Sequence, residues 1–260
     1  MTTLNPTHQA VINNQMMYRK GELKQIIRNN VVHTSKMSGK LEGFKSISTN
    51  TVINKFCFDR YNKAKVKNKK AGKVVDICGI CYSQIMLGSY RKNMQPALDR
   101  NEELAERLLD KEELPTYLDA FLRIDAHGEL LTHKVDPSTG KVIKTFPKYN
   151  HIENLCRIAE HNPHCNFALW TKRTEIVKPF FNKRTKPANL ILIYSNPKVG
   201  TILTSPPTHF DRTFNNVLEA EFVDQQNCTG QKCKDCLLCY IKDNGVTTIV
   251  EKAKFYVKEN

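Results

Sequence analysis

The chain has 260 residues and a mass of 29.9 kDa, with 40% hydrophobic and 25% charged residues, ordinary values for a globular chain that buries a core. No apolar run approaches the 18 residues of a membrane-spanning helix, and Met1–Tyr18 is too polar for a secretory leader. Nine cysteines without such a leader point to a reducing, cytoplasmic setting, and so to metal or redox chemistry rather than a disulfide scaffold.

The net charge of +14 is uneven. Residues 1–92 hold 17 Lys+Arg and 4 Asp+Glu; residues 93–260 hold 23 and 22. The densest run is Lys63, Lys65, Lys67, Lys69, Lys70 and Lys73, with no acid among them. It reads as an exposed basic loop over residues 62–73. Unpaired lysines of this kind also attract a polyanion by releasing its counterions, so the basic N-terminal third is a candidate nucleic-acid surface.

In chain order, residues 1–50 are polar and read as an N-terminal extension, with one helix expected around Gly21–Asn29. Residues 51–226 read as an α/β core. Asn50–Phe58 is a short β-type segment. The basic loop follows, then Val74–Ile77 leads into Cys78, and a helix starts near Tyr82. A second helix is expected from Pro96 to Leu114, its early acids complementing the helix dipole. Phe121–Ala126 reads as a strand. Ile152, Leu155, Cys156 and Ala159 share one helix face. Asn166–Trp170 is a strand, Thr174–Phe181 a helix and Asn189–Ser195 a further strand. This β-α-β-α-β alternation predicts a parallel sheet covered by helices, either a partial (β/α) barrel or a doubly wound layer. Strands are also expected at Asn216–Val223 and Val246–Val250. Between them begins a Cys-rich element, residues 227–260.

That element carries Cys228, Cys233, Cys236 and Cys239 within 12 residues. Such crowding suits an iron–sulfur cluster, [4Fe–4S] foremost, better than a structural zinc, whose paired ligands usually stand further apart in sequence. Zinc remains the alternative. A second set is Cys57 with Cys78 and Cys81. Three thiolate ligands leave a coordination position open for a substrate or cofactor. Cys228 could also complete this trio, so the seven cysteines form one site or two. Cys156 and Cys165 read as small core hydrophobes.

Parallel strands end on a common edge, where catalytic groups collect. The candidates there are His127 and Glu129, then Lys172 and Arg173, then Ser195 and Asn196. Lys172 and Arg173 suit an anion. Arg123 and Asp125 alternate with Leu122 and Ile124, forming either a buried functional pair or a salt-bridged strand end. The motifs of P-loop NTPases, dinucleotide-binding folds and α/β-hydrolases are missing.

Several of these segments together resemble a family of phage-borne proteins, the gene-product-88-like family, over roughly residues 37–240. The matching stretches are SGKLEGFKSIS at Ser38–Ser48, an isolated Cys57, CGICY at 78–82, LRIDAHGEL at 122–130, Asn162-Pro163 before FALWTKR at 167–173, PANLILIYS at 187–195, and Cys233, Cys236 and Cys239. In outline the order is also similar to radical-SAM-type barrels, which place a three-cysteine loop after the first strand and a Gly-Gly-Glu step after the second. That resemblance implies a [4Fe–4S] cluster on Cys57, Cys78 and Cys81, with Gly128 and Glu129 near its open iron and S-adenosylmethionine as a cofactor. Here the first cysteine gap is 20 residues, and the step reads His127-Gly128-Glu129. The expected function is a cytoplasmic, phage-type iron–sulfur redox or radical enzyme acting on a nucleotide or nucleic acid. Its catalytic groups would be Arg123, His127, Glu129 and Lys172, with Gly128, Glu129 and Ser195 binding a cofactor. The alternative is a zinc-stabilised nucleic-acid-binding module.

Overall fold

The computed structural model describes residues 31–218 and 223–252. The helix expected at Gly21–Asn29 lies outside them.

The core is a seven-stranded sheet. Its strands are β1 (Thr34–Lys36), β2 (Lys45–Ile47), β3 (Phe121–Ile124), β6 (Asn166–Thr171), β7 (Leu190–Val199), β8 (Arg212–Val217) and β9 (Thr248–Lys252). They lie side by side in that order. Only β1 runs antiparallel to its neighbour; every other adjacent pair is parallel. The order never reverses, so the doubly wound alternative fails: there is no switch point. The long connection after β3 holds a separate hairpin, β4 (His133–Val135) with β5 (Val142–Thr145).

Strand alternation gives the sheet two different faces. Leu122, Ile124, Phe167, Leu169, Leu190 and Leu192 point to one. Helices α5 (Asn150–His161) and α6 (Thr174–Phe181) cover it with Ile152, Leu155, Ile158, Ile176 and Val177. Each such side chain contributes roughly 1.5–3 kcal/mol on burial. Cys156 and Cys165 are buried in this cluster, as expected of core cysteines. On the opposite face Ala168, Trp170, Ile191 and Ile193 meet Leu41, Phe44, Leu237, Tyr240 and Ile241. Helices thus cover one face, and the Cys-rich element packs on the other.

Several sequence expectations need correction. The lysine run is no loop: it lies in α1 (Lys55–Ala71). The Asn54 side chain caps the start by accepting from the N–H groups of Phe56 and Cys57. Gly72, at φ 63°, closes the end. Lysine is a good helix former, so two strong caps suffice. Cys57 therefore sits in a first helical turn, not after a strand. The first 50 residues are not wholly an extension, since β1 and β2 belong to the sheet. The helix expected over Pro96–Leu114 is broken into α3 (Gln95–Asp99), α4 (Glu103–Glu106) and short 3-10 turns, because Arg107 turns extended. The strand expected at Asn216–Val223 lies earlier, as β8. Among the described residues, no helix is long and apolar enough to cross a membrane.

Candidate functional site

Three local devices bring Cys57, Cys78 and Cys81 together. The first is the Asn54 cap, which fixes the turn bearing Cys57. The second is Asn68 on the same helix. Its Oδ1 accepts from the N–H groups of Val75 and Asp76, and its Nδ2 donates to the Asp76 carbonyl, which pins the incoming chain along α1. The third is Gly79. A Cβ there would overlap Asn68 Nδ2 and stand 2.9 Å from the Ala64 backbone. Only glycine lets the Cys78–Cys81 turn press so closely on the helix that carries Cys57. That turn is a 3-10 segment over Ile77–Ile80, opened by Asp76, whose side chain accepts from the N–H of Cys78. Helix α2 (Tyr82–Gly88) follows.

The three thiols feel one another's charge and share one cation. Burial pushes the pKa of Cys57 well up and that of Cys78 up, while the Lys172 ammonium works the other way on both. Burial alone would lower the Lys172 pKa, yet Cys78, Glu129, Cys81 and Cys57 around it raise it, so the residue stays charged. Arg60 adds a second cation beside Cys78. Lys172 Nζ donates to Ser195 Oγ at 3.0 Å and lies 3.7 Å from Glu129 Oε1. The sheet edge therefore brings Glu129, Lys172 and Ser195 together beside the trio.

Glu129 is fully engaged. Its carboxylate accepts from Thr171 Oγ1 at 2.5 Å and from the Lys172 N–H at 3.1 Å. Its carbonyl accepts from Asn54 Nδ2 at 2.9 Å and from Thr49 Oγ1 at 3.2 Å. It ties the end of β6 to the start of α1, a positioning role. Gly128 (φ 83°) lies where a Cβ would overlap Thr49 Oγ1, and its N–H donates to Thr51 Oγ1 at 2.8 Å. His127 is also structural. Its Nδ1 lies 2.9 Å from Ser83 Oγ, and burial lowers its pKa to about 4, so it is neutral at pH 7. Arg173 does not reach the anion-binding position expected of it: it donates to the Leu130 carbonyl and to Thr132 Oγ1, and stacks on Phe56. Asn196 bonds Asn215 and the Thr201 carbonyl.

Cys228, Cys233, Cys236 and Cys239 line one pocket with Gln231, Leu237 and Tyr240. Cys228 thus groups with the C-terminal set, giving three cysteines and four. Short helix α7 (Cys233–Cys236) ends on Leu237 in the left-handed region at φ 56°, which turns Leu237 and Tyr240 onto the sheet. Tyr240 packs 5.6 Å from Trp170 and 4.5 Å from Phe44 between ring centres. Lys40 Nζ approaches Cys228 Sγ at 3.7 Å, and Gln231 Nε2 approaches Cys236 Sγ at 3.4 Å. Both are donors suited to a thiolate. Among the described residues, no group of three or more His, Cys, Asp or Glu is arranged to hold a metal ion as it stands.

Arg123 lies beside the C-terminal cysteine set. Its guanidinium stacks 4.2 Å from the Trp170 ring and is close enough to Cys233 and Cys239 to favour their thiolates. It also faces Tyr82. Tyr82 keeps 58% of its surface open. Yet it lies deep enough for desolvation to raise its phenol pKa, and its hydroxyl donates to the Ala126 carbonyl. The expected Arg123–Asp125 salt bridge is not among the ion pairs of the described residues; neither Asp125 oxygen has a hydrogen-bond partner there.

Sequence reasoning missed Asn68, Gly79 and Lys40. A glycine inside a CxxC turn was a usable signal; the other two have no local signature. No protein-family model matches the chain, and no curated protein or solved structure matches it.

Proposed function

We propose that this chain is an iron–sulfur redox enzyme of the phage type its sequence resembles, built on a partial (β/α) barrel. Cys57, Cys78 and Cys81 would hold a [4Fe–4S] cluster at the sheet edge. Cys228, Cys233, Cys236 and Cys239 would hold a second centre, structural or electron-relaying. The observation that carries this reading is the meeting of three thiols with Lys172, Glu129 and Ser195 at the C-terminal edge of parallel strands laid down in chain order.

The donor set fits such a cluster. All three candidate ligands are soft cysteine sulfurs, and Lys172 and Arg60 stand by to offset the negative charge they would carry as thiolates. A polynuclear cube also joins sulfurs standing further apart than the ligands of one zinc, each about 2.3 Å from the ion. Bound there with three protein ligands, the cluster supplies one-electron chemistry and one iron open to a ligand. The chain's own groups do the rest. Glu129 fixes the end of β6, and so the position of Lys172. Lys172 holds a positive charge beside the reacting centre and positions the Ser195 hydroxyl. The fit to S-adenosylmethionine fails at His127-Gly128-Glu129, whose Gly128 N–H and Glu129 oxygens are already bonded within the protein.

Anaerobic purification followed by iron, acid-labile sulfide and zinc analysis tests the reading. A brown protein with iron and sulfide in equal amounts is expected. A colourless protein with stoichiometric zinc and no sulfide contradicts it.

A second reading, a zinc-stabilised nucleic-acid-binding module, is favoured by one observation: Lys63, Lys65, Lys67, Lys69 and Lys70 are exposed on α1. The two readings share a substrate class, since the same helix would carry a nucleotide or nucleic acid toward Cys57.

A further inference from the structure

The sheet face that carries the Cys-rich element also holds buried polar atoms that nothing satisfies. Arg123 alternates with Leu122 and Ile124, which face α5 and α6, so it points to the other side with Trp170. Arg212 stands two residues before Phe214 on β8 and shares that side. Arg123 Nε, Trp170 Nε1, Arg212 Nη1 and the Tyr240 hydroxyl are all buried, and among the described residues none has a hydrogen-bond partner. Folded proteins seldom leave such groups unpaired, because burial strips them of water without return.

The four gather under the C-terminal cysteines. The Arg123 guanidinium stacks 4.2 Å from the Trp170 ring, and the Tyr240 ring centre lies 5.6 Å from that of Trp170. Arg123 also lies close to the Tyr240 hydroxyl, without the geometry of a hydrogen bond. Cys239 directly precedes Tyr240, and with Cys233 it packs against the Trp170–Tyr240 cluster. Arg212 is held from behind: Nε donates to the Val246 carbonyl at 2.8 Å and Nη2 to Asn244 Oδ1 at 3.0 Å, while its charge reaches Cys239. Both arginine nitrogens and the indole nitrogen can only donate. The nitrogen–sulfur approaches among the described residues of this set come from elsewhere, Lys40 to Cys228 and Gln231 to Cys236.

We infer that Arg123, Trp170, Arg212 and Tyr240 are positioning residues for a sulfide-bearing cluster on the C-terminal cysteines, and that their N–H and O–H groups raise its reduction potential. A zinc ion on four thiolates brings no acceptor atom of its own, whereas an iron–sulfur cluster brings inorganic sulfides that accept hydrogen bonds. Donors and cations beside those sulfides favour the form with one more electron, so the potential rises. A centre so surrounded is built to take up an electron rather than only to staple the chain. The inference rests on the iron–sulfur reading above and deepens it, assigning to electron transfer a centre that reading leaves structural or electron-relaying.

The test uses the full chain, purified anaerobically and carrying Cys78→Ser so that the C-terminal centre is read alone. Its midpoint potential is measured by titration with dithionite, which supplies the one electron the cluster gains. Tyr240→Phe and Trp170→Phe each keep an aromatic side chain and remove the polar atom, so the fold should hold; each should lower the potential. Arg123→Gln should lower it most: at the midpoint of the parent protein, the oxidised-to-reduced ratio should rise at least about tenfold, which is about 59 mV for one electron. Arg123→Lys, which keeps the charge, should recover part of that. Transfer to D2O should shift the iron–sulfide stretching bands in the resonance Raman spectrum of the parent, and less so in Tyr240→Phe and Trp170→Phe. Iron and sulfide present with a potential unmoved by both ring variants overturns this inference and leaves the iron–sulfur reading standing. Zinc without sulfide in the Cys78→Ser protein overturns that reading at this centre, and the inference with it.

Discussion

The Ser83 hydroxyl lies 2.9 Å from His127 Nδ1, and it also bonds the hydroxyl of Thr51. Thr51 in turn accepts the N–H of Gly128. Ser83 is in α2, two residues after Cys81. The chain of bonds therefore ties the helix that follows the trio to the turn after β3. Ser83→Ala would leave the buried His127 ring and Thr51 hydroxyl short of a partner and should destabilise the fold by about 1–3 kcal/mol. Urea unfolding measures it. A change below about half a kilocalorie per mole would mean the relay is not a structural tie.

Gly79→Ala puts a methyl against Asn68 and the Ala64 backbone. The Cys78–Cys81 turn must then move off α1. Metal bound by the trio should fall sharply, while the C-terminal set keeps its own. Gly128→Ala meets backbone as well as the Thr49 side chain, at a positive φ, and should cost about 2–4 kcal/mol of stability. Comparing metal content with unfolding free energy separates the two cases: Gly79→Ala is expected to lose metal out of proportion to stability.

Acid should act through His127 and His151. His151 Nδ1 accepts the N–H of Leu131, so the ring is held neutral, and burial lowers its pKa to about 3. That of His127 is lowered to about 4. Both are depressed below the unfolded value near 6.5, so each costs stability as pH falls from about 6.5 toward the folded value, on the order of 3 kcal/mol apiece. Asp125 and Glu129, with raised pKa values, work in the opposite sense. The clean readout is a difference. The stability of His151→Gln relative to wild type should improve as pH is lowered from 7 to 4. A difference that does not vary with pH contradicts the assignment.

The lysines of α1 make a separate prediction. Replacing Lys63, Lys65, Lys67 and Lys69 with Gln keeps good helix formers in place, so α1 should persist by circular dichroism. Affinity for single-stranded DNA should fall, and the slope of log affinity against log salt should shrink by roughly 0.7 for each phosphate no longer neutralised. An unchanged slope would show that the helix does not touch phosphates.

The legible parts of the fold were the ones with apolar periodicity. FLRI, FALWT and LILI announce β3, β6 and β7, and Ile152, Leu155, Cys156 and Ala159 announce α5. Short polar strands were not legible. Lys45–Ile47 is three residues long, and Arg212–Val217 hides behind Asn215 and Asn216, both buried and hydrogen-bonded or packed. The lysine run was misread because charge pattern says nothing of caps. At the site, the cysteine spacing announced both sets, and strand ends placed Glu129, Lys172 and Ser195 at one edge. Their roles were not legible. Whether Glu129 is free or bonded depends on Thr171 and Lys172, 42 and 43 residues away.

The central claim is that two separate thiolate sets each hold an iron–sulfur centre. Iron and sulfide counts on anaerobically purified wild type, Cys78→Ser and Cys233→Ser test it most directly. The wild type should carry about eight of each per chain if both centres are [4Fe–4S], and each variant should lose about half, from a different centre. Full iron in Cys78→Ser, or zinc without sulfide in the wild type, would contradict the account.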